Sequence, residues 1–215
     1  MATRIKICGI TRVDDGLAVA RSGADAIGIV FWPGTPRAVT ISRAREIVTA
    51  MPPFISIVGL FVDPTRDDVD RVLESVSLHF LQFHGHEAAA FCRSFGRPYL
   101  KAIAVGASGD LLESVSPYDD AAGLLFDAPP LDGRPGGTGR TFEWTRLPSS
   151  LPRPLVLSGG LNAGNVANAI RTVRPWAVDV SSGVEASDGN GRPLAGIKDA
   201  AKVAAFVEEV RHADD

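Results

Sequence analysis

A chain of 215 residues is long enough to bury one sizeable core, and 45% hydrophobic with 22% charged residues exclude a disordered, solvating polymer. A net charge of -3 excludes the capture of polyanions by general attraction, so nucleic acid is not an expected partner and any anionic ligand must be held by local geometry. Cys8 and Cys92 are too few for a disulfide framework or a four-ligand zinc site, and both read as reduced thiols.

Taken in chain order, the first residues lack the apolar stretch of a secretory signal, and no later apolar run reaches the roughly 18 residues of a membrane helix. A cytoplasmic protein without a membrane partner is expected. The first candidate strand covers 5–8 and ends on Cys8, followed by a glycine. A helix over 14–21 leads to a strand over 26–31, and Pro33 and Pro36 then stiffen the loop that presents Arg37. A helix over 42–50, a strand over 56–61 and a helix over 64–74 precede the strand 78–83, where His79 reads as core and Gln82 and His84 mark the end. The helix 86–95 carries Cys92 between Phe91 and Phe95, again as core. Next come a strand over 99–104, a short helix over 111–115 and a strand over 123–127 ending on Asp127. Gly136-Gly137-Thr138-Gly139 lacks the lysine of a P-loop and reads as a loop over the site, followed by a weak helical signal around 142–147. The strand 155–158 runs into Gly159-Gly160 and a helix over 165–173. The strand 177–180 runs into Ser181-Ser182-Gly183, before a last helix over 197–210 and an end at Asp214-Asp215 read as frayed.

Eight short, nearly continuous apolar runs separated by helical patterns suit parallel strands covered on both faces. At about 27 residues per unit they predict one small (β/α)8 barrel as a single domain over 1–215, in preference to an open doubly wound sheet. In such a barrel the site forms at the C-terminal strand ends, so the residues there are read together. The turns at Gly159-Gly160 and Ser182-Gly183 follow the last two strands, the usual phosphate site of this architecture. Cys8 is either an inert core thiol or a base at the mouth, and Asp127 either a loop cap or an acid; facing each other, the two could move a proton off carbon while protonating a leaving oxygen. Arg37 is placed for bidentate contact with a carboxylate, unless it is a plain surface arginine. His84 and His86 find no third ligand at suitable spacing, so no metal is expected.

Together, Lys6-Ile-Cys-Gly-Ile-Thr11, Gln82-Phe-His-Gly85, Gly136-Gly-Thr-Gly139, Gly159-Gly-Leu-Asn162 and Val178-Asp-Val-Ser-Ser-Gly-Val-Glu185 resemble the signature blocks of the phosphoribosylanthranilate isomerases, in the right order. The resemblance implies a cofactor-independent Amadori rearrangement of a small phosphorylated substrate, in a monomer or homodimer. It implies Cys8 as general base at C2 of the ribose, Asp127 as general acid at the ring oxygen and Arg37 on the anthranilate carboxylate. Gln82, His84, Gly137, Gly159, Gly160, Asp179, Ser182 and Gly183 fall in the blocks expected to bind substrate. The nearest rival, the histidine-pathway isomerase, resembles a duplicated half-barrel with aspartate at the end of its first strand, where this chain has Cys8. A non-catalytic phosphate-binding barrel is the rival from another class.

Overall fold

In the computed structural model, which describes residues 2–106, 110–129, 139, 141–148 and 150–214, eight parallel strands close on themselves. They are β1 (Arg4–Cys8), β2 (Ala26–Val30), β3 (Ser56–Phe61), β4 (Phe80–Phe83), β5 (Tyr99–Ala104), β6 (Gly123–Asp127), β7 (Leu155–Leu157) and β8 (Ala177–Val180). Each strand pairs with the next, and β8 returns to β1 with Lys6 opposite Asp179. The helices α1 (Val13–Arg21), α2 (Ile41–Ala50), α3 (Arg66–Ser75), α4 (Ala89–Arg93), α5 (Leu111–Val115), α6 (Val166–Val173) and α7 (Ala200–Asp214) surround the barrel.

The period of two along each strand decides what faces the axis. Ile5, Ile7, Leu81, Phe83, Leu124, Phe126, Val178 and Val180 point outward into one core shared with Val19, Ile47, Val72, Cys92, Ile170 and Phe206 of the helices. The alternate positions point inward. Low in the barrel these are Ala102, Leu125, Val156 and Ala177, which form a small apolar cluster of their own. One step up, the inward positions are charged or polar: Lys6, Gln82, Asp127 and Asp179, all buried. Several helix starts are fixed by local hydrogen bonds. Thr40 caps α2, and Thr65 and Asp68 form a reciprocal capping box on α3.

Four expectations need correction. The last helix does not start at 197: β9 (Glu185–Ser187) and β10 (Pro193–Lys198) form an antiparallel hairpin, and α7 begins only at Ala200. Lys198 pairs with Glu185 in that hairpin, and its ammonium is held by the Glu185 carboxylate and the Ser181 carbonyl, which keeps the start of the expected helix in a strand. The strand expected from 78 begins at Phe80, leaving His79 exposed at its foot, where Nδ1 accepts a hydrogen bond from Ile57 N–H. The region 142–147 contains only a 3-10 turn at Trp144–Arg146. Asp214 is not frayed, because its carboxylate accepts hydrogen bonds from the N–H and hydroxyl of Thr3 at 2.7 and 2.6 Å.

Candidate active site

Because Cys8, Gln82, Asp127 and Asp179 occupy inward positions at or near the C-terminal strand ends, the fold brings them to one pocket. Arg37, His84, Ser158 and Ser181 from the following loops complete its polar lining, and Val30, Trp32 and Leu60 its apolar side. A larger cavity of about 1250 Å³ opens elsewhere, between the starts of β1, β7 and β8, lined by Trp144, Arg153, Arg174 and Trp176. None of the candidate residues reaches it, and that face of a barrel serves stability rather than chemistry.

On one wall Asp127 Oδ1 accepts a hydrogen bond from Ala128 N–H at 2.7 Å, while Oδ2 lies 3.3 Å from His84 Nε2. His84 Nδ1 is in turn 3.0 Å from the amide nitrogen of Gln82. Gln82 Oε1 is buried without a partner among the described residues. Reversing the amide would exchange the orphan oxygen for an orphan nitrogen, so in either orientation one polar atom of this side chain has no partner among the described residues.

The opposite wall is a charge cluster. Lys6 Nζ donates to Asp179 Oδ1 at 2.8 Å, with both side chains almost fully buried. Burial pulls the Lys6 ammonium down, but Asp179 and Cys8 outweigh it and hold the group above its ordinary value. Burial pushes Asp179 up against the pull of the same lysine, 2.8 Å away. Burial also drives the Cys8 thiol up, opposed first by Lys6.

Arg37 is not a surface arginine. Its Nε and Nη2 donate to the two oxygens of Glu185 at 2.7 and 2.8 Å, so the bidentate contact expected for a ligand is made to a protein carboxylate, and Nη1 meets no acceptor among the described residues. Glu185 also accepts hydrogen bonds from Gly196 N–H at 2.8 Å and Lys198 Nζ at 3.2 Å, and Lys198 donates to the Ser181 carbonyl at 3.0 Å. Burial pulls Lys198 below its ordinary value, only partly offset by Glu185. Sequence reasoning assigned no role to Lys6, Glu185 or Lys198. The signal for Lys6 was available, since it stands two residues before Cys8 on the same strand face.

The two glycine turns lie against one another. Gly159 and Gly160 have φ of +87° and +61°, and their N–H groups find no acceptor among the described residues. A side chain on Gly183 would begin 1.9 Å from the Leu161 carbonyl oxygen, so only glycine lets the turn after β8 meet the turn after β7. The turn after β8 runs into one 3-10 turn (Ser182–Val184) and the hairpin, not directly into an α-helix. Gly137 lies outside the described residues. No helix among the described residues is long and apolar enough to cross a membrane.

The sequence model of the family described as N-(5'phosphoribosyl)anthranilate (PRA) isomerase matches residues 5–209. The chain is 56% identical over 210 residues to an N-(5'-phosphoribosyl)anthranilate isomerase of Pseudomonas paraeruginosa, covering 98% of this chain and 96% of that protein. Among solved structures it is similar to the phosphoribosyl anthranilate isomerase of Thermotoga maritima, with a TM-score of 0.87 and 39% identity over 98% of this chain and 99% of that one. It is also similar, with a TM-score of 0.82 and 36% identity over 98% and 99% of the two chains, to such an isomerase in complex with reduced 1-(o-carboxyphenylamino)-1-deoxyribulose 5-phosphate.

Proposed function

The chain belongs to the N-(5'-phosphoribosyl)anthranilate isomerase family, and from that premise we propose how its own residues carry the aldose-to-ketose rearrangement of this step of tryptophan biosynthesis. Asp127 protonates the ring oxygen of N-(5-phosphoribosyl)anthranilate as the C1–O bond breaks, and the nitrogen lone pair closes a C1=N iminium. The Cys8 thiolate then takes the proton from C2, the C2–H electron pair forms the C1=C2 bond while the C=N pair returns to nitrogen, and the enolamine becomes the ketose, 1-(2-carboxyphenylamino)-1-deoxyribulose 5-phosphate, as C1 gains a proton and the 2-hydroxyl loses one. The carrying observation is that Cys8 and Asp127, 119 positions apart in sequence, line one pocket with His84 beside the acid.

Around this pair, the Nη1 edge of Arg37 receives the anthranilate carboxylate, and Gln82, His84 and Asp179 face the ribose. The N–H groups of Gly159 and Gly160, which meet no acceptor among the described residues, receive the phosphate with Ser182 and Gly183, and Gly137 takes part in binding the substrate. The protein works as one catalytic domain over 1–215 in the cytoplasm, as a monomer or homodimer with no nucleic-acid partner. The test is to incubate purified protein with phosphoribosylanthranilate and follow the ketose. Cys8→Ala and Asp127→Asn should each lower kcat by about 10² to 10⁴ with the fold intact, the usual contribution of a positioned acid or base. Wild-type kcat in either variant removes that residue from the mechanism, and binding without turnover by the unmodified protein would favour the non-catalytic barrel.

A further inference from the structure

A base needs its charged form, and the burial around Cys8 works against a thiolate. Two residues earlier on the same face of β1 stands Lys6, 4% exposed, its ammonium turned into the same corner over Gly28 as the sulfur. Gly28 of β2 makes that meeting possible. It pairs directly with Cys8, and a side chain there would begin 2.6 Å from Cys8 Sγ and 3.1 Å from Lys6 Nζ. On the other side of β1, Asp179 of β8 fixes the ammonium at 2.8 Å. The remaining charged groups facing this corner are Lys198, Arg37, His84 and Asp127. Lys198 and Arg37 are both held by Glu185, and His84 and Asp127 are in contact with each other.

Resting on the assignment of Cys8 as base, we propose that Lys6 is a positioning residue that stabilises the Cys8 thiolate, with Asp179 anchoring its ammonium and Gly28 keeping the space between sulfur and nitrogen clear. Lys6 neither gives nor takes a proton. The C2 proton ends on sulfur, and the ammonium supplies the fixed positive charge that makes the thiolate accessible in a buried place. Of the contributions that favour the thiolate, that of Lys6 is the largest, ahead of Lys198.

The thiol can be read directly, without turnover, by the pH dependence of iodoacetamide alkylation with the modified cysteine located by peptide mass. Cys92, pushed up to about 12 by burial, is thereby kept apart from Cys8. Lys6→Met should move the Cys8 midpoint upward by about one pH unit or more and slow alkylation at pH 7 by about tenfold. Lys6→Arg, which keeps the charge, should restore most of the wild-type profile. The acid limb of kcat/KM should shift with the alkylation midpoint. Because Lys6→Met leaves Asp179 as an unpaired buried carboxylate and can block folding, the same comparison is to be made between Asp179→Asn and Lys6→Gln/Asp179→Asn. There too the loss of the lysine should raise the midpoint. An unchanged midpoint on removing Lys6 in either background overturns the proposal. Full kcat in Cys8→Ala would instead overturn the base assignment, whatever alkylation shows, so the two failures are told apart.

Discussion

Glu185 is the residue on which both Arg37 and Lys198 depend, since these two cations and the N–H of Gly196 converge on a side chain with no exposed surface. Burial pushes its carboxyl up, but Arg37, Lys198 and that N–H outweigh it and leave it below the ordinary range. A carboxyl lowered on folding contributes stability that is complete above its unfolded value, about 4.3 for glutamate, and is lost as pH falls through the lower folded value. Glu185→Gln should therefore lower Tm at pH 7, and the gap to wild type should narrow as the pH is taken from about 5 towards 3. A gap that stays constant over that range would show that the carboxylate charge is not what matters. Cys8 and Asp127 were legible in the sequence because each ends an apolar run, where a strand must stop at the mouth of a barrel. The partner of Arg37 was not, because Glu185 lies 148 positions away and nothing local to either residue announces the pairing.

Among elements, the turns after β7 and β8 carry the clearest division between what pattern can and cannot tell. Their glycines were readable as turn signals, and their adjacency followed from the expected strand order. The β9–β10 hairpin was not readable: β9 has three residues, and β10 joins Pro193, Gly196 and a buried Lys198 in a stretch with neither a period of two nor one of 3.6. Its pairing is irregular between Pro193 and Lys198, so contacts to Glu185 and Ser181, not β-propensity, place it. The helix 86–95 shrank to α4 for a similar reason. Glu87 accepts from the N–H groups of Asp63 and Gly85 and pairs with the buried Lys101, which holds the chain in a loop before Ala89. For the phosphate turns, with a net charge of -3 offering no general attraction, inorganic phosphate should compete with substrate and raise Tm by binding the folded state. Gly160→Val should abolish both effects, since a β-branched residue cannot hold a φ of +61° and its side chain takes the ligand's space. Phosphate protection that survives in this variant would move the site elsewhere.

At the scale of the whole molecule, the barrel was legible because eight apolar runs at regular spacing leave few other ways to cover every strand on both faces. What spacing could not reveal is how the ring is fastened. The seam is β1 against β8, reinforced where Asp214 of α7 holds Thr3 and Arg211 donates to the Thr3 carbonyl at 3.0 Å. The two ends of the described chain thus meet at a hydrogen-bonded junction, although 211 positions separate the residues that make it. A closed ring has no mechanical beginning, so the place where translation starts is arbitrary with respect to the architecture. A circular permutant, with a short flexible linker across that junction and new termini in the exposed turn at Gly189-Asn190-Gly191, should fold and retain isomerase activity, as is usual when ends are close and the cut falls at a surface loop tip. Loss of cooperative unfolding in the permutant would show that the order of synthesis, and not closure alone, selects this barrel.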